Sequence, residues 1–172
     1  MITNYKLFLE NSTIKIYERL LIEAVISFIK DKFNFSANIT IKKTDNFKLI
    51  GYIALNDRTK NGDFVLHYNP SQSYTAIIYS VIHELTHIKQ AVKGELSASD
   101  DYKSIIWNGK PYLVSKINKI SKKFEEYEKL PWEEEAYRNQ RDVKLREELY
   151  NSKFWKSLKG KDTTLDFIIE HI

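Results

Sequence analysis

Two of the chain's four histidines stand four residues apart, with a glutamate directly after the first: His83, Glu84, Leu85, Thr86, His87. On an α-helix, positions i and i+4 lie one above the other on the same face. Two imidazoles placed in this way can bind one Zn²⁺ ion together. Glu84, one step round the helix, then sits beside a water on that ion and can take its proton. The chemistry expected of such a run is zinc-dependent hydrolysis, with the peptide bond as the leading target.

Zinc takes four ligands, and a catalytic site keeps one position for water. A third protein ligand is therefore required. Position 93 is lysine and Gly94 follows it, so no third histidine stands close behind the motif. His67 and His171 are the remaining imidazoles, and a carboxylate is the alternative. The best carboxylate source is the stretch Leu130-Pro131-Trp132-Glu133-Glu134-Glu135-Ala136-Tyr137. Proline and acidic residues also suit a helix's first turn without any metal. On a helix running from Pro131 to about Tyr150, the residues Trp132, Ala136, Val143 and Tyr150 share an inward face. Glu134 lies opposite, and Glu133 and Glu135 flank the inward face from either side. Helix geometry leaves both open as the third ligand. Ala136, small and inward, lets this helix approach the motif helix closely.

The elements that must carry these residues are legible in outline. Asn11 to Lys32 has the apolar content of a helix packed on a sheet, with Ser12 or Thr13 as its cap. Three short strands follow: Ala37 to Lys43, Phe47 to Leu55 and Phe64 to Tyr68, separated by the turn residues Asn56-Asp57-Arg58 and Asn61-Gly62-Asp63. Ser71 or Ser73 opens the motif helix, which runs to about Lys93 and stops at Gly94. Its apolar stripe is Ile78, Val81, Ile82, Leu85, Ile88 and Val92, so His83 and His87 fall at the border of the core. A polar loop from Glu95 to Tyr102 leads to a hairpin turning at Asn108-Gly109, with Pro111 on its outer arm. Val114 to Tyr127 reads as a helix or partly irregular. Phe154, Trp155 and Leu158 give the tail an apolar side for docking.

Composition bounds the class. A chain of 172 residues, 42% hydrophobic and 13% aromatic, is expected to form one domain with a real core. The expected fold class is α+β. Cysteine is absent, which excludes disulfides, thiolate metal sites and cysteine nucleophiles. No run approaches the ~20 apolar residues of a membrane span, and no secretory signal is visible. A cytoplasmic address without membrane attachment is the expectation.

The run Val81 to Gln90, followed by Pro131-Trp132-Glu133-Glu134-Glu135-Ala136, resembles the gluzincin branch of zincin metallopeptidases, in particular the small single-domain peptidases of phages and bacteria. The resemblance covers roughly residues 37 to 145. It implies a minimal zincin core, with a small, mostly antiparallel sheet packed against the motif helix and a later glutamate-bearing helix. Residues from about 151 to 172 would be a helical appendage. In that family the third ligand is a glutamate often followed directly by alanine, which carries the role onto Glu135, with Glu133 as runner-up. The metal set implied is His83, His87 and Glu135 around Zn²⁺, with Glu84 as general base. The resemblance also implies that Phe64 to Tyr68 is an edge strand able to pair with an extended peptide or protein substrate. Tyr112, Tyr127, Tyr137 and Arg138 are candidate donors to an oxyanion, and the sequence does not choose among them.

Two other features qualify that expectation. Lys103, Lys110, Lys116, Lys119, Lys122 and Lys123 occur with no acid between them, which allows a nucleic-acid surface; a solvated lysine-rich face is favoured. A zincin-fold regulatory or binding protein is the competing function. The intact Glu84 argues against it, because a binding module has no need of that base.

Overall fold

A computed structural model describes residues 14–44, 51–53 and 63–172, the middle stretch by its backbone. The expected cap at Ser12 or Thr13, most of the strand expected over Phe47 to Leu55, and the turn residues Asn56-Asp57-Arg58 and Asn61-Gly62 lie outside the described residues. The fold is α+β. Helix α1 (Ile16–Phe33) precedes strands β1 (Asn38–Lys43), β2 (Gly51–Ile53) and β3 (Asp63–Tyr68). The motif helix α2 (Tyr74–Val92) leads into β4 (Leu96–Ala98), β5 (Ser104–Trp107) and β6 (Lys110–Leu113). Helices α3 (Val114–Ile120), α4 (Phe124–Tyr127), α5 (Pro131–Arg141), α6 (Val143–Asn151), α7 (Lys153–Lys156) and α8 (Thr163–His171) follow.

The strands form two small sheets, and three of the four pairings are antiparallel. In the first sheet β3 is central, parallel to β1 and antiparallel to β2. This corrects the expectation for Phe64 to Tyr68: the strand is flanked on both sides, so its backbone groups are committed to β1 and β2. Its side chains alternate, with Phe64, Leu66 and Tyr68 buried among the helices and Asp63, Val65 and His67 on the other face. The second sheet contains the expected hairpin and one further strand. The hairpin turns at Asn108 and Gly109, with φ of 46° and 79°, as a two-residue turn with two positive φ values requires. Strand β4, by contrast, falls in what reads as a polar loop. Leu96 alone is apolar and buried there, too short a signal for period-2 reading.

The motif helix is fixed at both ends. Ser73 accepts a hydrogen bond from the Ala76 N–H at 3.2 Å. At the other end Gly94 has φ +74°, with Glu95 N–H to Gln90 O at 2.9 Å and Gly94 N–H to Ala91 O at 3.1 Å. That is the Schellman pattern, which needs a left-handed residue at this position. Between the caps the helix is buried on most sides. Ile78, Val81, Ile82, Leu85 and Ile88 enter the main core with α1 and β3. The opposite side, bearing His83, Thr86 and Gln90, faces α5.

The helix expected from Pro131 to Tyr150 is two helices. Asp142 has φ −69° and ψ 106°, and its carboxylate accepts from the Leu145 N–H at 3.2 Å. An aspartate that caps the next helix competes with continuation of the first. The break changes which residues face inward. Trp132 and Ala136 are buried as expected, but Val143 is 59% exposed, and Leu145 and Leu149 take the interior places. The tail is part of the main core: Trp155, Leu158 and Leu165 pack with α1 residues. No described helix is long and apolar enough to cross a membrane.

Ala136 is fully buried where α5 lies against α2. Replacing it with leucine forces three extra carbons into that contact. Ala136→Leu should lower the unfolding free energy by about 1–3 kcal/mol, read by urea denaturation. An unchanged midpoint would show that α5 does not press closely on α2.

Candidate metal centre

Three Lewis-basic atoms converge between α2 and α5. His83 Nε2 and His87 Nε2 are 3.2 Å apart. Glu133 Oε2 lies 3.2 Å from the first and 3.5 Å from the second. Of the described residues, His83, His87 and Glu133 form the group able to hold a metal ion. The arrangement follows from helix geometry: residues i and i+4 of α2 bring their rings together edge to face, with centroids 4.9 Å apart. Glu133, in the first turn of α5, reaches across to both.

The remaining polar atoms of the triad are each held. His83 Nδ1 lies 3.1 Å from Gln140 Oε1, and His87 Nδ1 lies 2.9 Å from Gln90 Oε1. Glu133 Oε1 accepts a 2.6 Å hydrogen bond from the Tyr127 hydroxyl. An amide oxygen can only accept, so both Nδ1 atoms donate. In the neutral rings both Nε2 atoms then carry lone pairs aimed at each other and at a carboxylate. Glu133 Oε2 is buried, and while both Nε2 atoms are unprotonated it has no hydrogen-bond donor among the described residues.

Such a convergence is unfavourable unless a cation occupies it. The spacing suits zinc: with Zn–N and Zn–O bonds of ~2.0–2.1 Å, the edges of a tetrahedron are about 3.3–3.4 Å. The observed edges are 3.2, 3.2 and 3.5 Å. The His83 and His87 side chains are 11% and 13% exposed. Without metal, a proton is the available cation. Burial lowers the His87 pKa, but the hydrogen bond and charge of Glu133 outweigh it and raise the group to about 9. Burial likewise works against ionised Glu133, yet the two imidazoles and Tyr127 hold its pKa well below the usual carboxylate range.

Glu84 is 8% exposed on the same helix, and its charge is felt at His87, Tyr127 and Tyr137. The base expected from the motif is therefore buried directly after His83 and adds negative charge near His87.

Glu135 stands elsewhere, and the expectation that it completes the metal set is corrected. Its carboxylate pairs with the Lys89 ammonium and accepts from Gln90 Nε2 at 3.0 Å. Burial opposes ionisation there too, but the Gln90 amide and the Lys89 charge keep its pKa lowered. At about 100° per residue, Glu133 and Glu135 fall on opposite sides of the line through Trp132 and Ala136. The histidines lie on the Glu133 side. A signal for this was present: Glu133, Tyr137 and Gln140 recur at i, i+4 and i+7, a single stripe. Tyr137 packs edge-on against His83, with centroids 4.5 Å apart, and Gln140 meets the same ring. The other imidazoles do not join. His67 sits on the sheet face away from the helices, and His171 is exposed and bonded to Phe167 O.

The candidate oxyanion donors also separate. Tyr127 is committed to Glu133, Tyr112 packs against Trp132 with centroids 5.0 Å apart, and Arg138 is exposed. Tyr137 alone lies against a ring of the triad, and burial followed by the Glu133 charge pushes its phenol up to about 12, so it keeps its proton at neutral pH. The six lysines of the basic stretch are all exposed, and Lys103 and Lys123 pair with Asp101 and Glu126. Comparison with protein-family models, curated proteins and solved structures returns no match to this chain.

The His87–Glu133 pair predicts a pH dependence for metal-free protein. A raised histidine pKa contributes stability below its unfolded value of 6.5 that is lost as pH rises through about 9. A lowered glutamate pKa contributes stability above 4.5 that is lost as pH falls. The pair should therefore stabilise most between these two unfolded values. From pH 6.5 to 9.5 the unfolding free energy of chelator-treated protein should fall by roughly 1–3 kcal/mol, and Glu133→Gln should flatten that slope. An identical slope in the variant would contradict the pairing.

Proposed function

We propose that this chain is a zinc-dependent peptidase of gluzincin type, with His83, His87 and Glu133 holding the ion and Glu84 acting as general base. The observation that carries the reading is the convergence of two imidazole Nε2 atoms and an otherwise unbonded carboxylate oxygen at edges of 3.2, 3.2 and 3.5 Å. Two imidazoles and one carboxylate are a donor set of catalytic zinc sites. Bound there, the ion would polarise a carbonyl and acidify a water.

The chain's own groups supply the rest. Glu84 takes a proton from the attacking water and passes it to the leaving amine nitrogen. Gln90 and Gln140 hold the two rings by Nδ1, so that Nε2 faces inward. Tyr127 fixes one oxygen of Glu133 and leaves the other for the ion. Tyr137, kept protonated beside His83, donates to the oxygen that gains charge as the carbonyl is attacked. A peptide or protein is the substrate class, because a carboxylate base beside a two-imidazole, one-carboxylate metal set suits amide hydrolysis.

Two experiments test this assignment. Wild-type protein should bind about one Zn²⁺ per chain and cleave an unstructured protein such as casein, with loss of cleavage on chelation. Glu84→Gln should remove at least ~10²-fold of the rate while zinc content stays near one. Zinc retained with no cleavage in the wild type would favour the binding-protein reading, and no zinc at all would sink both. Separately, Tyr137→Phe should lower kcat by about 10²-fold with little change in KM. A wild-type kcat in that variant would remove Tyr137 from the reaction.

A further inference from the structure

Gln90 is fully buried, and its amide has a partner on every side. Its Nε2 donates to Trp132 O at 3.0 Å and to Glu135 Oε2 at 3.0 Å. Both partners can only accept, so the amide nitrogen must face them. Its oxygen must then face His87 Nδ1, 2.9 Å away. That orientation leaves the ring one arrangement: Nδ1 carries hydrogen, and Nε2 points at Glu133 and His83. Glu135 is itself held. The ammonium of Lys89, a buried residue, binds its other oxygen, lies 3.9 Å from Glu95 and sits over the Phe33 ring at 5.8 Å. Gln140, which meets His83, has no comparable acceptor behind its amide nitrogen among the described residues.

We propose that Glu135 is a positioning residue which, through Gln90, locks the ring orientation and the Nδ1 hydrogen of His87 and so sets the affinity of the centre for Zn²⁺. The proposal rests on the metal reading of His83, His87 and Glu133. Lys89 keeps the half-buried Glu135 carboxylate in place, and Trp132 supplies the second acceptor from the same turn of α5. A carboxylate standing two bonds' reach behind a ligand can matter as much as a weak ligand, because it removes the alternative ring orientations before the ion arrives. His83, with a single glutamine behind it, has no such reinforcement, so the control lies on the His87 side.

The test compares wild-type protein with Glu135→Ala and with Gln90→Met, which keeps volume and leaves the Lys89–Glu135 pair intact. Zn²⁺ affinity is measured by competition with a chromophoric chelator, and the His87 Nδ1 proton is followed by ¹H–¹⁵N NMR in metal-free and zinc-loaded protein. Both variants should weaken Zn²⁺ binding by about 10–100-fold. The slowly exchanging Nδ1 proton should vanish in Gln90→Met and exchange faster in Glu135→Ala. Substituted with Co²⁺, Glu135→Ala should keep the wild-type visible spectrum, because its donor set is unchanged, whereas Glu133→Ala should not. Wild-type Zn²⁺ affinity in folded Gln90→Met and Glu135→Ala, or an unaltered Nδ1 signal, overturns the positioning role. A wild-type chain that binds no Zn²⁺ overturns the metal reading and the affinity claim with it. The Nδ1 signal of metal-free protein distinguishes that failure from failure of the hydrogen-bond chain itself.

Discussion

Three acceptor atoms forced within 3.5 Å of one another cannot remain without a cation. Around His83, His87 and Glu133 the rest of the molecule is arranged so that this convergence is unavoidable. The neighbouring side-chain groups are already committed elsewhere. The Nδ1 hydrogens go to Gln90 and Gln140, and the Tyr127 hydroxyl goes to the outer oxygen of Glu133. A site that merely satisfied two histidines at the edge of a core would spend those donors differently. Among the described residues the groups turned toward Glu133 Oε2 are the two Nε2 atoms, which can donate to it only when protonated.

Holding such an arrangement requires rigid supports on both sides. The motif helix is capped by Ser73 and by the Gly94 turn, and its apolar residues anchor it to α1 and β3. The glutamate helix is seated by Trp132, which packs under Tyr112 and Trp107 of the second sheet, and by Ala136. The β4–β6 sheet therefore has a task beyond covering surface. It closes the far side of Trp132 and fixes the rotation of α5, on which the direction of Glu133 depends. The break at Asp142 has a related effect. It lets α5 lie across the motif helix while Leu145 and Leu149 turn into the main core, two demands that one straight helix could not meet.

The parts legible in the sequence are those fixed by local geometry. The i,i+4 spacing of His83 and His87, the caps of their helix, the Asn108-Gly109 turn and the inward Trp132 and Ala136 all follow from rules that act within a few residues. The parts that were not legible depend on contacts between distant segments. Whether Phe64 to Tyr68 is an edge depends on which strands pair with it. The split at Asp142 depends on a cap competing with helix continuation, and local propensity favours neither strongly. The choice between Glu133 and Glu135 depends on the side from which α2 crosses α5, which the phase of a single helix does not contain.

That last choice shows why two acidic residues so close in sequence do different work. Positions two apart on a helix point about 200° apart, so one ion cannot be served by both from a straight helix. Among the described residues no ammonium pairs with Glu133 on the side facing the histidines, and its Oε2 is turned toward them. The other side offers Glu135 the Lys89 ammonium at once. A carboxylate with a resident cation is a poor ligand for another, because binding the ion would strand the buried lysine. The lysine two places beyond His87 therefore separates the pair: it claims Glu135, leaves Glu133 as the carboxylate that faces the two histidines, and anchors the chain of hydrogen bonds that ends on the His87 ring.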